Sequence, residues 1–331
     1  MARTSTAYTT LDLDRPGKQV GYVAIPHSPH EDAWGQVRIP MAVIANGSGP
    51  TVILQGGNHG DEYEGPIALG ELIRDTDPAT INGRIIVLPA LNAPAVEAGR
   101  RVSPVDGLNL NRTYPGDPIG TITQQITAYT SDFLFPIADA FVDLHSGGSS
   151  LQIIPSAIVE PAPTEEHRTR NLAAVRAFGA PMIVVIDNLG DPRTSTATSV
   201  RANLTTVGTE LGGGGTVSRD ALKVSRQGVR NVLAHLGICE APATAPSEAD
   251  VRAIAGPQSY VFADIPGVFE SFHELGAEVR AGEEAGRIHQ LTRPDIAPLT
   301  LTFGVDGIVY GRRPPGRVVP GNCCLVVASP Y

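Results

Sequence analysis

Lysine is nearly missing from this chain. Only Lys18 and Lys223 occur in 331 residues, so the 25 basic side chains are almost all arginine, and the formal charge is -9. No basic cluster of the kind that tracks a phosphate backbone is present, which argues against nucleic acid as a partner. Cysteine is equally scarce, with three residues, two of them adjacent at Cys323 and Cys324. An odd number with adjacent members makes no disulfide framework and suits a reducing compartment. No apolar run reaches the ~20 residues of a membrane span, and the N-terminus lacks the basic-then-apolar pattern of a secretory leader. No membrane is therefore expected as a partner, and the cytoplasm is the expected compartment. Charged residues make up 18% against 42% hydrophobic, which argues against disorder and for a full core. The length suits one large domain plus a small one.

What the chain does have is a regular succession of short apolar runs and helical stretches. Residues 35–44, 51–54, 84–89, 141–145, 182–186 and 207–211 read as strands, several bounded by Asn-Gly or Gly-rich turns. Residues 122–138, 165–178 and 217–236 read as helices, and a further helix opens at Pro66, early enough for its missing N–H to cost little. Strands alternating with helices of this length predict an α/β fold, a mainly parallel sheet with helices on both faces. The predicted catalytic domain spans residues 1–245, of which 1–35 form an extended lead-in with short edge strands. Residues 241–247 (APATAPS) read as a linker. From 257 to 331, short strands alternate with Gly and Pro turns as in a small all-β domain, with runs resembling the half-barrel of biotinyl and lipoyl carriers. Carriers attach their cofactor to a lysine and this segment has none, so its expected role is a lid, or an interface in a homodimer.

The stretch Gln55-Gly56-Gly57-Asn58-His59-Gly60-Asp61-Glu62 follows a strand and precedes a helix, the position at which α/β folds place their chemistry. An imidazole and a carboxylate three residues apart can converge on one ion. They supply two members of a His₂Glu zinc set, which needs one more histidine. His145, at the end of the run Phe141-Val142-Asp143-Leu144, supplies it. A single histidine near a strand end is most often a hydrogen-bonded structural residue, but two such sites, each followed by glycines, favour a metal centre. Glu210 is the one charge between Leu204 and Val217. A carboxylate there is costly to bury unless used or paired, which makes Glu210 the candidate general base, with a structural role at the glycine turn as the alternative. Asn111 and Arg112, in a loop that also carries Arg101, suit a site that holds an anion, since guanidinium grips carboxylate in a planar fork. The alternative is a solvated surface loop.

Taken in order, Asn58-His59-Gly60-Asp61-Glu62, Asn111-Arg112, Asp143-Leu144-His145-Ser146 and Thr209-Glu210-Leu211-Gly212 resemble the succinylglutamate desuccinylase/aspartoacylase family, a branch of the zinc carboxypeptidase-like fold. The resemblance covers most of the chain. It implies one Zn²⁺ per chain held by His59, Glu62 and His145, with Glu210 as general base and acid. It also implies Asn111 and Arg112 as the clamp on a substrate carboxylate, Arg101 as the oxyanion-stabilising arginine (Arg100 lies beside it), and Tyr310 as a substrate-binding tyrosine. Asp61 is either a partner of a ligand histidine or a helix N-cap. The implied reaction is hydrolysis of the amide of a small-molecule N-acyl amino acid. Residues 33–35, 46–52 and 58–65 look most like the ectoine-degradation branch, which removes acetate from Nα-acetyl-L-2,4-diaminobutyrate. Deacylation of succinylglutamate or acetylaspartate, carboxypeptidase activity and a metal-binding protein without catalysis are the alternatives.

Overall fold

The computed structural model describes residues 5–186, 190–240 and 249–331. The chain opens with β1 (Tyr8–Thr9) and a long hairpin of β2 (Gly17–Pro26) and β3 (Gln36–Asn46), paired from Gly17 opposite Ala45 to Pro26 opposite Gln36. The lead-in expected as short edge strands is thus a full strand. Its inward side chains Val23 and Ile25 are buried with Ile39 and Met41, and that burial holds it against β3.

Next come β4 (Thr51–Gly56), α1 (Glu64–Asp75), β5 (Gly83–Leu88), α2 (Ala93–Ala98), α3 (Ile122–Tyr129), β6 (Ala140–His145), β7 (Gln152–Ile153) and β8 (Ser156–Val159). These are followed by α4 (Glu165–Phe178), β9 (Met182–Ile186), α5 (Ser195–Arg201), β10 (Thr205–Glu210), α6 (Arg219–His235) and β11 (Asp250–Ile254). The helix expected over residues 122–138 is α at first, then a π turn over Thr130–Leu134 and a 3-10 turn over Phe135–Ile137. The path stays helical while its pitch changes, ending at the turn that Pro136 opens, where its lack of an N–H is harmless.

In the sheet the order runs β1-β2-β3-β5-β4-β6-β10-β8-β9-β11 and continues into the C-terminal strands. Strands β5, β4, β6 and β10 are mutually parallel, β8 runs antiparallel to β10, and β9 and β11 follow β8 in parallel. Alternation along each strand feeds two cores. Val52, Leu54, Ile85, Val87, Val142 and Leu144 pack with Leu69 of α1, Phe178 of α4 and Val229 of α6 on one face. Ile53, Ile86 and Phe141 pack with Ile122 and Ile126 of α3 on the other. Covering both faces explains why these strands read as unbroken apolar runs, and each buried aliphatic side chain contributes about 1.5–3 kcal/mol.

The remaining strands are β12 (Tyr260–Phe262), β13 (Gly267–Ser271), β14 (Glu278–Val279), β15 (Glu284–His289), β16 (Leu299–Thr302), β17 (Gly307–Arg312), β18 (Arg317–Val318) and β19 (Cys323–Pro330). β19 pairs with β11, β12 and β17, so the large sheet passes from β11 through β19 and β17 to β14 without a break. A second sheet, β16-β15-β13-β18, packs on it through Phe269, Ile288, Phe303 and Leu325. The stretch read as a linker, 241–247, lies outside the described residues. Among the described residues no helix is long and apolar enough to cross a membrane.

Candidate active site and metal centre

Because β4, β6 and β10 are parallel neighbours, their carboxyl ends open on the same edge of the sheet. β4 runs into the turn bearing His59 and Glu62, β6 ends on His145, and β10 ends on Glu210, which lies opposite His145 in the register. The turn is held tightly. A Cβ on Gly60 would lie 2.0 Å from the Ala95 carbonyl in α2, and one on Gly65 would lie 2.7 Å from Leu144 Cβ. The glycines of the motif are therefore needed for close approach, and they press the turn between α2 and the end of β6. Glu62 is thereby placed between two imidazoles. Its Oε1 lies 2.7 Å from His59 Nδ1 and its Oε2 lies 2.9 Å from His145 Nδ1. One ligand atom from each of these three buried residues falls within 4.8 Å of the others.

The far side of each ring is also engaged. His59 Nε2 lies 3.1 Å from Asn109 Oδ1, and His145 Nε2 lies 3.0 Å from Asp143 Oδ2. With Nε2–H donating to those oxygens, both Nδ1 lone pairs face the Glu62 carboxylate, an arrangement that needs a cation in the middle. Without an ion, the carboxylates instead favour a proton on His145. Burial pulls the His145 pKa down, but the Asp143 and Glu62 carboxylates outweigh it and hold the ring well above its ordinary value. Burial pushes Glu62 up, yet the two histidines bring it well below the usual carboxylate range. Two imidazole nitrogens and one carboxylate, with a cavity on the open side, fit a divalent metal ion that keeps a position for substrate or water.

That cavity has a volume of about 310 Å³, and its walls include His59, Glu62, Arg101, Asn111, Arg112, His145, Glu210 and Tyr310, but not Asp61. Glu210 Oε2 is buried with no hydrogen-bond partner. Burial first, and then the Glu62 charge, push its pKa up to about 8, against the pull of His145 and Arg101. A buried, unpaired carboxyl with such a pKa is suited to exchanging protons near neutrality. Arg101 Nη1 lies 3.6 Å from Glu62 Oε1, with the side chain 43% exposed, so it reaches in from the rim. Arg100 does not line the cavity. Arg112 Nε pairs with Asp191 Oδ2 at 3.2 Å, and Asn111 Oδ1 accepts from Ser195 N–H at 2.8 Å. Tyr310 on β17 and Ser156 on β8 share a hydroxyl–hydroxyl bond of 2.5 Å.

The match to known proteins spans the whole chain. The sequence model of the succinylglutamate desuccinylase/aspartoacylase catalytic domain matches residues 48–236. The chain is 38% identical over 328 residues to the N-alpha-acetyl-L-2,4-diaminobutyric acid deacetylase of Halomonas elongata, covering 99% of this chain and 96% of that one. This chain belongs to the succinylglutamate desuccinylase/aspartoacylase family. Its fold agrees with that placement. The product-bound ectoine utilization protein EutE (DoeB) from Ruegeria pomeroyi superposes with a TM-score of 0.95 at 38% identity, covering 99% of this chain and 100% of that one. A succinylglutamate desuccinylase/aspartoacylase from Rhodobacter sphaeroides superposes at 0.92 with 42% identity, again covering 99% and 100%. The α/β fold with its C-terminal β strands, expected from the sequence, is the fold of these relatives.

Several site residues carried no flag in the sequence. Asp143 sits two residues before His145, and on a strand that spacing puts both side chains on one face. An acid inside an apolar run was the available signal. Asn109 belongs to the Asn109-Leu110-Asn111-Arg112 run, but nothing local shows that its amide oxygen faces His59. Asp61 takes neither role considered for it: its Oδ2 accepts from Ser149 N–H at 2.8 Å and Oγ–H at 2.7 Å, pinning the loop after β6. The N-cap position of α1 is Tyr63.

Proposed function

We propose that this chain is a zinc-dependent amidohydrolase that converts Nα-acetyl-L-2,4-diaminobutyrate to 2,4-diaminobutyrate and acetate, in ectoine degradation and in the cytoplasm. Membership of a deacylase family and full-length similarity to a deacetylase of that substrate support the reaction class. The observation that carries the reading is the unpaired Glu210 carboxyl beside a His-Glu-His metal set in one cavity. His59, Glu62 and His145 would hold one Zn²⁺, which would supply Lewis acidity at the acyl carbonyl and acidify a water. Glu210 would accept a proton from the attacking water as the water's oxygen adds to the acyl carbon. The same proton passes to the amide nitrogen as the C–N bond breaks, leaving acetate and a free amine. Arg101 stabilises the oxyanion of the tetrahedral stage.

Asn111 and Arg112 grip the amino acid's carboxylate. Among the described residues neither Asn111 Nδ2 nor Arg112 Nη2 has an acceptor within the protein, while Arg112 Nη1 donates to the Asn111 carbonyl at 2.7 Å. Donors left free in this way suit a ligand anion and fix the orientation of the scissile amide. Tyr310 contributes to the substrate wall, and residues 257–331 act as the lid that restricts the site to small molecules, since Tyr260, Tyr310 and Val326 line the cavity. The test is acetate release from a panel of acylated amino acids, with and without chelator. The expected result is chelator-sensitive release, fastest from the acetylated diamino acid. Preference for succinylglutamate or acetylaspartate would reassign the substrate, and activity insensitive to metal removal would overturn the mechanism.

A further inference from the structure

We propose that Ser195 is a positioning residue that ties the metal ligand His145 to the carboxylate clamp at Asn111. Ser195 is the first residue of α5, wholly buried, and not itself part of the cavity wall. It works in two directions. Its hydroxyl donates to Asp143 Oδ2, the oxygen that lies 3.0 Å from His145 Nε2. Its backbone N–H donates to Asn111 Oδ1 at 2.8 Å.

Each contact fixes something the site needs. Asp143 is fully buried and also accepts from Gln55 Nε2 at 3.1 Å, so a network of donors, Ser195 Oγ–H among them, keeps its carboxylate turned toward His145. That keeps the proton on His145 Nε2 and the lone pair on Nδ1, facing the metal position. At Asn111, occupying Oδ1 turns Nδ2 outward. A clamp that presented its oxygen instead would repel a carboxylate. Asp191, four residues earlier, orients Arg112 through the 3.2 Å pair, so one short segment sets both clamp side chains. The Asn111 half of this inference rests on the clamp role proposed above; the His145 half does not.

Two variants separate the contacts. Ser195→Ala removes the hydroxyl and keeps the N–H. Ser195→Pro removes both, and the first turn of a helix tolerates proline. Thr194, at φ -90° and ψ 157°, already has the extended geometry required before it. In chelator competition Ser195→Ala is expected to weaken zinc affinity about 10- to 100-fold, with Ser195→Thr restoring it. Against Ser195→Ala, Ser195→Pro should hold zinc equally. By calorimetry on zinc-loaded protein it should bind Nα-acetyl-L-2,4-diaminobutyrate about tenfold more weakly, the scale of one hydrogen bond in a charged clamp. The matching carboxamide should bind both variants alike.

Unchanged zinc affinity in Ser195→Ala overturns the link to His145. Equal carboxylate binding by the two variants, or a loss shared by the carboxamide, overturns the link to Asn111. If Ser195→Pro does not fold, amide exchange at residue 195 in Ser195→Ala decides the second link: the acetylated ligand should slow it, and no slowing refutes it. Wild-type protein that neither binds nor hydrolyses any acyl amino acid refutes the proposed function, and the zinc measurement still decides the role of the hydroxyl.

Discussion

Glu210→Gln gives the clearest separation of catalysis from architecture. The replacement keeps the shape of the side chain and removes its ability to accept a proton. The structure sets the expected cost on each side. Glu210 Oε2 has no hydrogen-bond partner, and burial pushes the carboxyl up to about 8, so in metal-free protein at pH 7 the native residue is itself mostly neutral. Exchanging one neutral group for another of the same size should move stability by only about 1 kcal/mol. Zinc content should also stay near one per chain, since the proposed metal set of His59, Glu62 and His145 is untouched. Turnover should fall by roughly 10²–10⁴, the range for general acid–base catalysis, equivalent to about 3–5 kcal/mol of barrier. Melting temperature, elemental analysis and kcat on the acetylated diamino acid are measured on the same preparation. A structural role at the glycine turn gives the opposite pattern, a lowered melting temperature with kcat nearly intact. Stable, zinc-loaded and fully active Glu210→Gln protein would refute the reasoning.

Four further outcomes are expected. His145→Ala should lose most bound zinc by elemental analysis, and unchanged stoichiometry would remove it from the set. Asp61→Ala should destabilise the fold by about 1–3 kcal/mol, because Ser149 N–H loses its acceptor, while zinc affinity stays near wild type; lost zinc would return Asp61 to the metal centre. Gly228→Ala should cost about 1–3 kcal/mol in chemical denaturation, since its Cβ would lie 2.4 Å from the Phe178 ring where α6 crosses α4. Asp106 supplies the pH dependence: burial raises its pKa, but hydrogen bonds from Thr123 outweigh that and hold it below the ordinary aspartate value of 3.8. A folded-state pKa below the unfolded one means stability fully present above pH 3.8 and lost as pH falls through the lower value. Asp106→Asn should therefore show a shallower acid limb in denaturation curves, and an unchanged limb would contradict the assignment.

How much of this was legible beforehand depends on where the information sits. Helix α4 and strand β9 fall on the ranges read from the sequence; His145 and Glu210 stood out at the ends of strands, and His59 and Glu62 by their spacing on the turn after β4. That signal is local. Helix α5 was not legible: Ser195-Thr196-Ala197-Thr198-Ser199-Val200-Arg201 has weak helix propensity. It is held by the Thr194 cap on Ala197 N–H and by burial of Ser195, Thr198 and Val200. The reversal of β8 beside β10 is a tertiary choice that alternation cannot encode. The partners that orient the site, Asp143, Asp191 and Ser195, have ordinary local sequence. Ser195 meets Asp143 and Asn111 from 52 and 84 positions away, and Asp191 meets Arg112 from about as far along the chain.

The unbroken run of strands from β9 through β11 and β19 to β17 bears on the order in which the protein is made. β19 is paired on β11, β12 and β17, and Val326 on it closes the cavity wall that His59 opened. A ribosome therefore delivers the proposed metal ligands and base well before the strand that completes the pocket around them. Pairings of such sequence separation form slowly. In the interval the edge of the sheet that carries the proposed metal site stays open to bulk water. On the proposed function, the wall that would restrict the site to a small substrate thus forms after the residues that would act on that substrate.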